Sequence, residues 1–389
     1  MNLYYGIDVA SQKHNCCVLD EKERVLYEFS FSNDQAGFSL LLYYLNHPSL
    51  PSHAKRNIGL EATGVYGENL TEFLRRNEYE VTTFNPLSVK KQLTATTLRK
   101  TKTDKSDARF LAVMLARGNY EPDAPTLYHI SELKSLSRKR FSLVKCRSGA
   151  KNVAKNLLSK LFPEYCKIFT DTFGTTSMAI LEKYPSAKDL AVCRPASLSK
   201  LLQASSRGRF GLDKAKEIIA IAKSSIGKYS AADALSLSIT LEEIAFYTHQ
   251  IERIERAIHL IFVEHPSPIL SIPGIGEVIG AMIISEIGNI KRFSNHNKLL
   301  AFAGLEPSIY QSGKFTPTSG SMVKRGSPYL RWALMWAARL VPRYSSTFEA
   351  YLEKKIGEGK HFNVATSHVA KKLIRVIFSL EKNNSFFTE

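Results

Sequence analysis

Apolar residues in the first third of the chain follow a two-residue period, then a helical one, then alternate between the two. Residues 2–9, with the run Leu3-Tyr-Tyr-Gly-Ile-Asp8-Val, predict a strand. Cys16–Leu19 and Arg24–Phe31 flank the polar Asp20-Glu-Lys-Glu and predict a hairpin. Asp34 is placed as an N-cap for a helix over 34–46, whose inner face carries Phe38, Leu41, Leu42 and Leu45. A fourth strand at Ile58–Leu60, a helix at Gly67–Arg76 and a fifth strand at Glu80–Phe84, stopped by Pro86, come next. A helix over Leu98–Arg117, with Phe110, Leu111, Val113, Met114 and Leu115, closes the unit.

The pattern then changes. Pro122 and Pro125 among polar residues mark a boundary, and Ser131 to Leu161 is helical and basic. Short helices fill 162–235, broken by Gly174, Pro185, Pro195 and the glycines at 208 and 211. Between Ile239 and Phe262, the residues Leu241, Ile244, Ile251, Ile254, Ile258 and Ile261 recur at helical spacings. They predict a long helix of coiled-coil type, with an ordinary core helix as the competing reading. Pro266 and Pro268 open the last segment, where Ile269 to Gly288 reads as helix, Pro273-Gly274-Ile-Gly276 hairpin, helix. Helices are expected at Ser294–Phe302, Ser327–Leu340 and Val364–Ser379, with an irregular stretch over 304–326. The fold class is α/β plus α. An RNase H-like domain spans 1–122, a basic helical and coiled-coil connector 123–264, and a mainly α domain with a helix-hairpin-helix 265–389. In the RNase H-like order of three strands in a meander followed by alternating helices and strands, the first and fourth strands lie side by side.

Charge narrows the choice of partner. Fifty-three Lys and Arg against 36 Asp and Glu leave a formal charge of +17, which implies a polyanion. An apolar content of 44% excludes a disordered basic tail. No apolar run is long enough for a membrane span and the start does not resemble a secretory signal. Five cysteines without CxxC spacing argue against structural zinc and for a reducing, cytoplasmic setting. Nine basic residues and no acid lie between Lys134 and Lys160, among them Arg138, Lys139, Arg140, Lys145 and Arg147. A second basic run, with Lys100, Lys102 and Lys105, encloses two aspartates. Both are expected to contact phosphate.

Four carboxylates carry the candidate chemistry. Asp8 ends the first strand, Glu61 ends the fourth, and Asp104 and Asp107 open the helix before Arg117. Taken singly, each is an ordinary turn or cap residue. Together they match the metal site of the RNase H-like fold in type and order, and the spacing of three puts Asp104 and Asp107 on one helix face. Asp20 and Asp34 lie in turn contexts. Oxygen donors alone select a hard cation, expected to be Mg²⁺ as two ions, with Mn²⁺ as a substitute. The stretch after Gly304 holds Ser312, Ser319 and Ser321 beside Lys314, Lys324, Arg325 and Arg331. A serine there could attack a phosphodiester whose charge these cations offset. Gly274 and Gly276 would let backbone N–H groups approach a phosphate.

These motifs add up to a resemblance. Gly6-Ile-Asp8-Val-Ala-Ser-Gln-Lys-His14, Gly59-Leu-Glu61-Ala-Thr-Gly, Lys102-Thr-Asp104-Lys-Ser-Asp107-Ala, the Pro273-Gly-Ile-Gly hairpin, Ala303-Gly-Leu-Glu-Pro with Ser312-Gly, and Lys324-Arg-Gly with Leu330-Arg331 occur in this order. The chain resembles insertion-sequence transposases with a RuvC-like DEDD domain and a C-terminal serine transposase domain, described as bridge-RNA-guided recombinases. The related phase-variation DNA invertases share both domains. The resemblance implies that Asp8, Glu61, Asp104 and Asp107 hold Mg²⁺, and that Ser312 becomes joined to a DNA phosphate. Family loops read Ser-Gly-Gly-Lys where this one reads Ser-Gly-Lys, which keeps Ser319 and Ser321 as lesser candidates. It further implies DNA ends and target as substrates, a non-coding guide RNA, and dimers assembling to a tetramer. A RuvC-type nuclease using metal-activated water is the alternative mechanism.

Overall fold

The computed structural model describes residues 1–51, 53–61, 66–84, 89, 104–118, 127–306, 322–324 and 326–389, apart from the side chains of Asp104, Lys105 and Tyr128. The chain forms two compact units, Met1–Pro125 and Thr126–Glu389.

The first unit is built on a five-stranded mixed sheet. Its strands are β1 (Asn2–Asp8), β2 (Lys13–Leu19), β3 (Val25–Ser32), β4 (Lys55–Glu61) and β5 (Val81–Phe84), in the order β3-β2-β1-β4-β5. The first three pair antiparallel; β4 lies parallel to β1, and β5 parallel to β4. This arrangement is compatible with an RNase H-like domain. Alternation along β1 sorts the residues by face. Leu3, Tyr5 and Ile7 join Val18, Leu41, Leu45, Leu70 and Leu74 in one core, under α1 (Gln35–Leu45) and α2 (Glu68–Arg76). Tyr4 and Gly6 face the other way, toward α3 (Asp104–Ala116), which covers the sheet with Ala108, Leu111, Ala112 and Leu115. The turn carboxylates act as expected. Asp20 accepts from the Lys22 and Arg24 amides at 2.9 Å, and Asp34 caps α1 by accepting from the Gly37 amide at 2.8 Å.

The second unit is helical among its described residues. Two 34-residue helices, α4 (Tyr128–Leu161) and α9 (Ala231–Glu264), pack along each other. Arg140 meets Glu255, Arg147 meets Thr248 and Lys160 meets Asp233, so the pair is antiparallel. Leu241, Ile244, Ile251 and Ile258 of the predicted coiled-coil stripe are buried. Leu241 and Ile244 share one core with Ala154 and Leu158 of α4, and Ile258 shares another with Ile130 and Leu133. That part of the stripe is therefore engaged within the chain. Near the end of α4, the helices α5 (Thr175–Lys183), α6 (Ala187–Ala191), α7 (Pro195–Ser205) and α8 (Leu212–Lys223) add to the first of these cores. At the other end a larger core gathers α10 (Glu277–Ile287), α11 (His296–Ala303), α12 (Pro328–Leu340), α13 (Ser346–Gly357) and α14 (Phe362–Asn383). No described helix is long and apolar enough to cross a membrane.

Candidate active site and nucleic-acid interface

Sheet register brings two of the four carboxylates together. Gly6 pairs with Gly59 and Ile7 with Leu60 across the parallel β1–β4 ladder; Asp8 and Glu61 are the next residue of each strand. Each lies two positions beyond a glycine, and so on the same face as it. That face is the one under α3. A Cβ on Gly6 would fall 2.1 Å from the Ala108 carbonyl oxygen and 2.3 Å from the Ala112 nitrogen; one on Gly59 would meet the side chains of Phe84 and Leu115. The two glycines therefore let α3 approach the sheet at backbone distance. Tyr4 packs with residues from Ala108 to Leu115, whereas Gly6 meets Ala108 and Ala112. The helix thus runs antiparallel to β1, and its first turn lies toward the strand ends that carry Asp8 and Glu61. At the opposite end Arg117 forms a two-pronged ion pair with Glu23 of the β2–β3 turn, at 2.9 and 3.0 Å. Asp8, Glu61 and Asp107 are each half-buried. For Asp104 the backbone is placed at the start of α3 and the side chain lies outside the described residues.

Asp8 and Glu61 bring carboxylate oxygens to one face of the sheet, the donor type that a hard divalent ion takes. Among the described residues no three acidic, His or Cys side chains close into a metal-holding group on their own. The β1–β2 turn beside Asp8 has its own fastening. His14 is fully buried between Phe31 and Phe38, and its Nδ1 accepts from the Ala10 amide at 3.3 Å. Burial lowers its pKa, opposed only in part by the Asn33 side chain.

The serine loop can be described only at its stems. Ser312, Ser319, Ser321, Lys314 and Arg325 lie outside the described residues, as do Lys100 and Lys102. At the entry, the Glu306 backbone carbonyl accepts from the Val323 amide at 2.9 Å. At the exit, Gly326 has φ +99° and sits so close to Phe302 that a Cβ would overlap its carbonyl oxygen. Arg331 donates to the carbonyls of Lys324 at 3.2 Å and Ala303 at 3.5 Å. Ser327 then caps α12 and donates to Glu286 at 2.7 Å. Glu286, with a side chain 2% exposed, also takes two hydrogen bonds from Arg138 of α4, at 2.6 and 3.0 Å. Burial pushes the Glu286 pKa up, but the Arg138 and Ser327 hydrogen bonds and the Arg138 charge outweigh it and hold the carboxyl below its usual range.

This changes the picture of the basic run. Arg138 and Arg140 are tied to Glu286 and Glu255, and Arg147 to Thr248. Lys139 and Lys145 are exposed. Sequence reasoning missed Glu286; its signal was a lone acid in the apolar run Ile283-Ile-Ser-Glu-Ile, which a helix can bury only with a cationic partner. The glycine hairpin also differs from expectation. Its first arm is a four-residue 3₁₀ turn, Pro268–Ser271, rather than a helix. Pro266, Pro268 and Pro273 leave too few consecutive amides for an α-helix. Gly274, at φ +90°, packs against Val341 and Tyr344, while nothing crowds Gly276, the N-cap of α10. The first turn of α10 carries Glu277, bonded to His259 at 2.8 Å.

Comparison with known proteins agrees with the order of these parts. A transposase family model for the DEDD domain matches residues 5–163, and a model described as "Transposase IS116/IS110/IS902 family" matches residues 267–353. The mini-circle transposase candidate of IS117 from Streptomyces coelicolor is 24% identical over all of this chain and 96% of its own length. A pilin gene-inverting protein of Moraxella bovis is 23% identical over 99% of this chain and 97% of its own. The transposase of IS1328 from Yersinia enterocolitica is 28% identical over 38% of this chain and 46% of its own. The chain belongs to the IS116/IS110/IS902 family of transposases, enzymes that recombine DNA.

Proposed function

We propose that this protein cuts and rejoins the DNA ends of an insertion element through a serine–DNA intermediate assisted by a carboxylate-held Mg²⁺ site. The observation that carries the metal half is the parallel register of β1 and β4, with Asp8 and Glu61 next to each other on the face covered by α3. Asp8, Glu61, Asp104 and Asp107 would hold the metal, which when bound supplies charge neutralisation at a phosphate. The carboxylates would hold that charge at the rim of the sheet, and the His14–Ala10 bond holds the turn that follows Asp8. Ser312 is the nucleophile of this reading, with Ser319 and Ser321 behind it. Its Oγ forms a bond to phosphorus as the bond from phosphorus to one deoxyribose oxygen breaks. The serine proton leaves to a base, and the departing oxygen takes one up. Attack by that oxygen, or by one from another strand, reverses the step and restores the serine. Lys314, Lys324 and Arg325 would offset the charge on the phosphate oxygens.

Within this reading the protein works in the cytoplasm as a dimer that assembles to a tetramer, and a non-coding RNA supplies specificity. The pilin gene-inverting relatives, aligned over nearly the whole chain, favour a second reading in which the same machinery inverts a chromosomal segment. The test of the metal half is strand cleavage by Asp8→Asn and Glu61→Gln in Mg²⁺ and Mn²⁺, alongside DNA binding. Loss of cleavage with binding retained supports it. Cleavage at wild-type rate by both variants would remove the site.

A further inference from the structure

The only two tryptophans of the chain, Trp332 and Trp336, lie one turn apart on α12 and are 36% and 45% exposed. Their rings are near-parallel, 9° apart, with centroids 6.3 Å from each other. Phe141 of α4 stands edge-on to Trp332 at 5.0 Å and to Tyr329 at 5.3 Å. The Arg138 guanidinium lies 4.8 Å over the Tyr329 ring. The same face of α12 continues to Arg339, exposed, and Lys145 follows Phe141 one turn along α4, also exposed. Neither α12 nor the part of α4 from Lys134 onward contains an acid.

We propose that this aromatic stripe is a stacking platform for unpaired bases of single-stranded DNA, with Arg339 and Lys145 taking its phosphates. The argument runs from charge and shape. A core would have hidden both indoles; here flat apolar faces remain in water on two helical segments that carry cations and no acid of their own. An acidic protein partner would need ion pairs, which leave the ring faces unused. Unpaired nucleic acid uses both, because every base has a π-face and every linkage a negative charge. Strand exchange on DNA exposes such bases between breakage and rejoining. The proposal rests on the reading of this chain as a DNA recombinase, while its test needs no catalysis.

Because both tryptophans belong to the platform, their emission reports on it alone. Full-length protein is titrated with oligo(dT), with a duplex of equal length and with oligo(U), following quenching and, in parallel, anisotropy of labelled strands. The expected result is strong quenching by oligo(dT), weak quenching by duplex, and binding of oligo(dT) weakened about tenfold or more by Trp336→Ala. Trp332→Phe, which keeps the Phe141 contact, should lose less than Trp332→Ala, and Arg339→Ala should lower the salt slope by about one. Three results would overturn it: binding of oligo(dT) without quenching, tighter tryptophan-dependent binding of oligo(U), or an emission shift with protein concentration alone, which would mark a protein interface. Quenching by a protein that forms no covalent DNA adduct would overturn the proposed function and leave the platform standing.

Discussion

Asp8 and Glu286 show how differently two carboxylates can serve one chain. Asp8 ends a strand at the sheet rim beside Glu61, where an incoming cation would find oxygen donors. Replacing it with Asn keeps the shape and removes the charge. Cleavage by Asp8→Asn should fall by at least ~100-fold, as for loss of one group that stabilises transition-state charge, with Tm and DNA binding nearly unchanged. Assays of cleavage, melting and binding on one preparation check all three. Glu286 is structural: buried and held ionised by Arg138 and Ser327. Breaking a buried pair costs about 3–5 kcal/mol, but Arg138 is 43% exposed and water relieves it, so Glu286→Gln should cost about 1–3 kcal/mol. Because the folded pKa lies below the ordinary 4.5, this stabilisation is fully present above that value and is lost as pH falls through the folded one. The gap in Tm between wild type and Glu286→Gln should thus be widest near pH 7 and narrow as pH falls below 4.5.

At the scale of elements, the contact of α3 with β1 decides whether the carboxylates converge. Gly6→Ala would force a methyl into the Ala108 carbonyl, so α3 must shift and carry Asp104 and Asp107 away from the strand ends. The expected cost is about 1–3 kcal/mol with cleavage largely lost, read by denaturant unfolding and an activity assay. Retained stability and activity would mean that α3 is not tightly seated. The sequence made most of these elements legible, because strand alternation, the Asp34 cap and the stop at Pro86 are local signals. The Asp8–Glu61 pairing was legible once the strand order was guessed. The antiparallel partner of α9 was not, since an apolar stripe records that it is buried without recording against what. Helix α13 leaves no period in the sequence, because Phe348 is its one fully buried anchor. The first arm of the glycine hairpin is ambiguous in the sequence because apolar Ile269 and Ile272 suit a 3₁₀ turn as well as a helix.

The whole molecule combines an acidic rim on a small sheet, a helix that is basic and acid-free from Lys134 onward, and a glycine-anchored loop in a chain of net charge +17. Binding to DNA should therefore be strongly salt-dependent. If six or more phosphates are contacted, affinity should drop by about 10³-fold or more between 50 and 200 mM salt. A flat response in the same fluorescence titration would mean that Lys139, Lys145 and their neighbours are a solvated face only. A covalent protein–DNA adduct tests the proposed serine chemistry and its need for the carboxylates most directly. The protein, its co-expressed RNA and Mg²⁺ are incubated with DNA spanning the element junction and run on a denaturing gel, wild type beside Ser312→Ala and Asp107→Asn. An adduct formed by wild type and absent from both variants is the predicted result. Cleaved DNA without any adduct would contradict it and assign the cutting to metal-activated water.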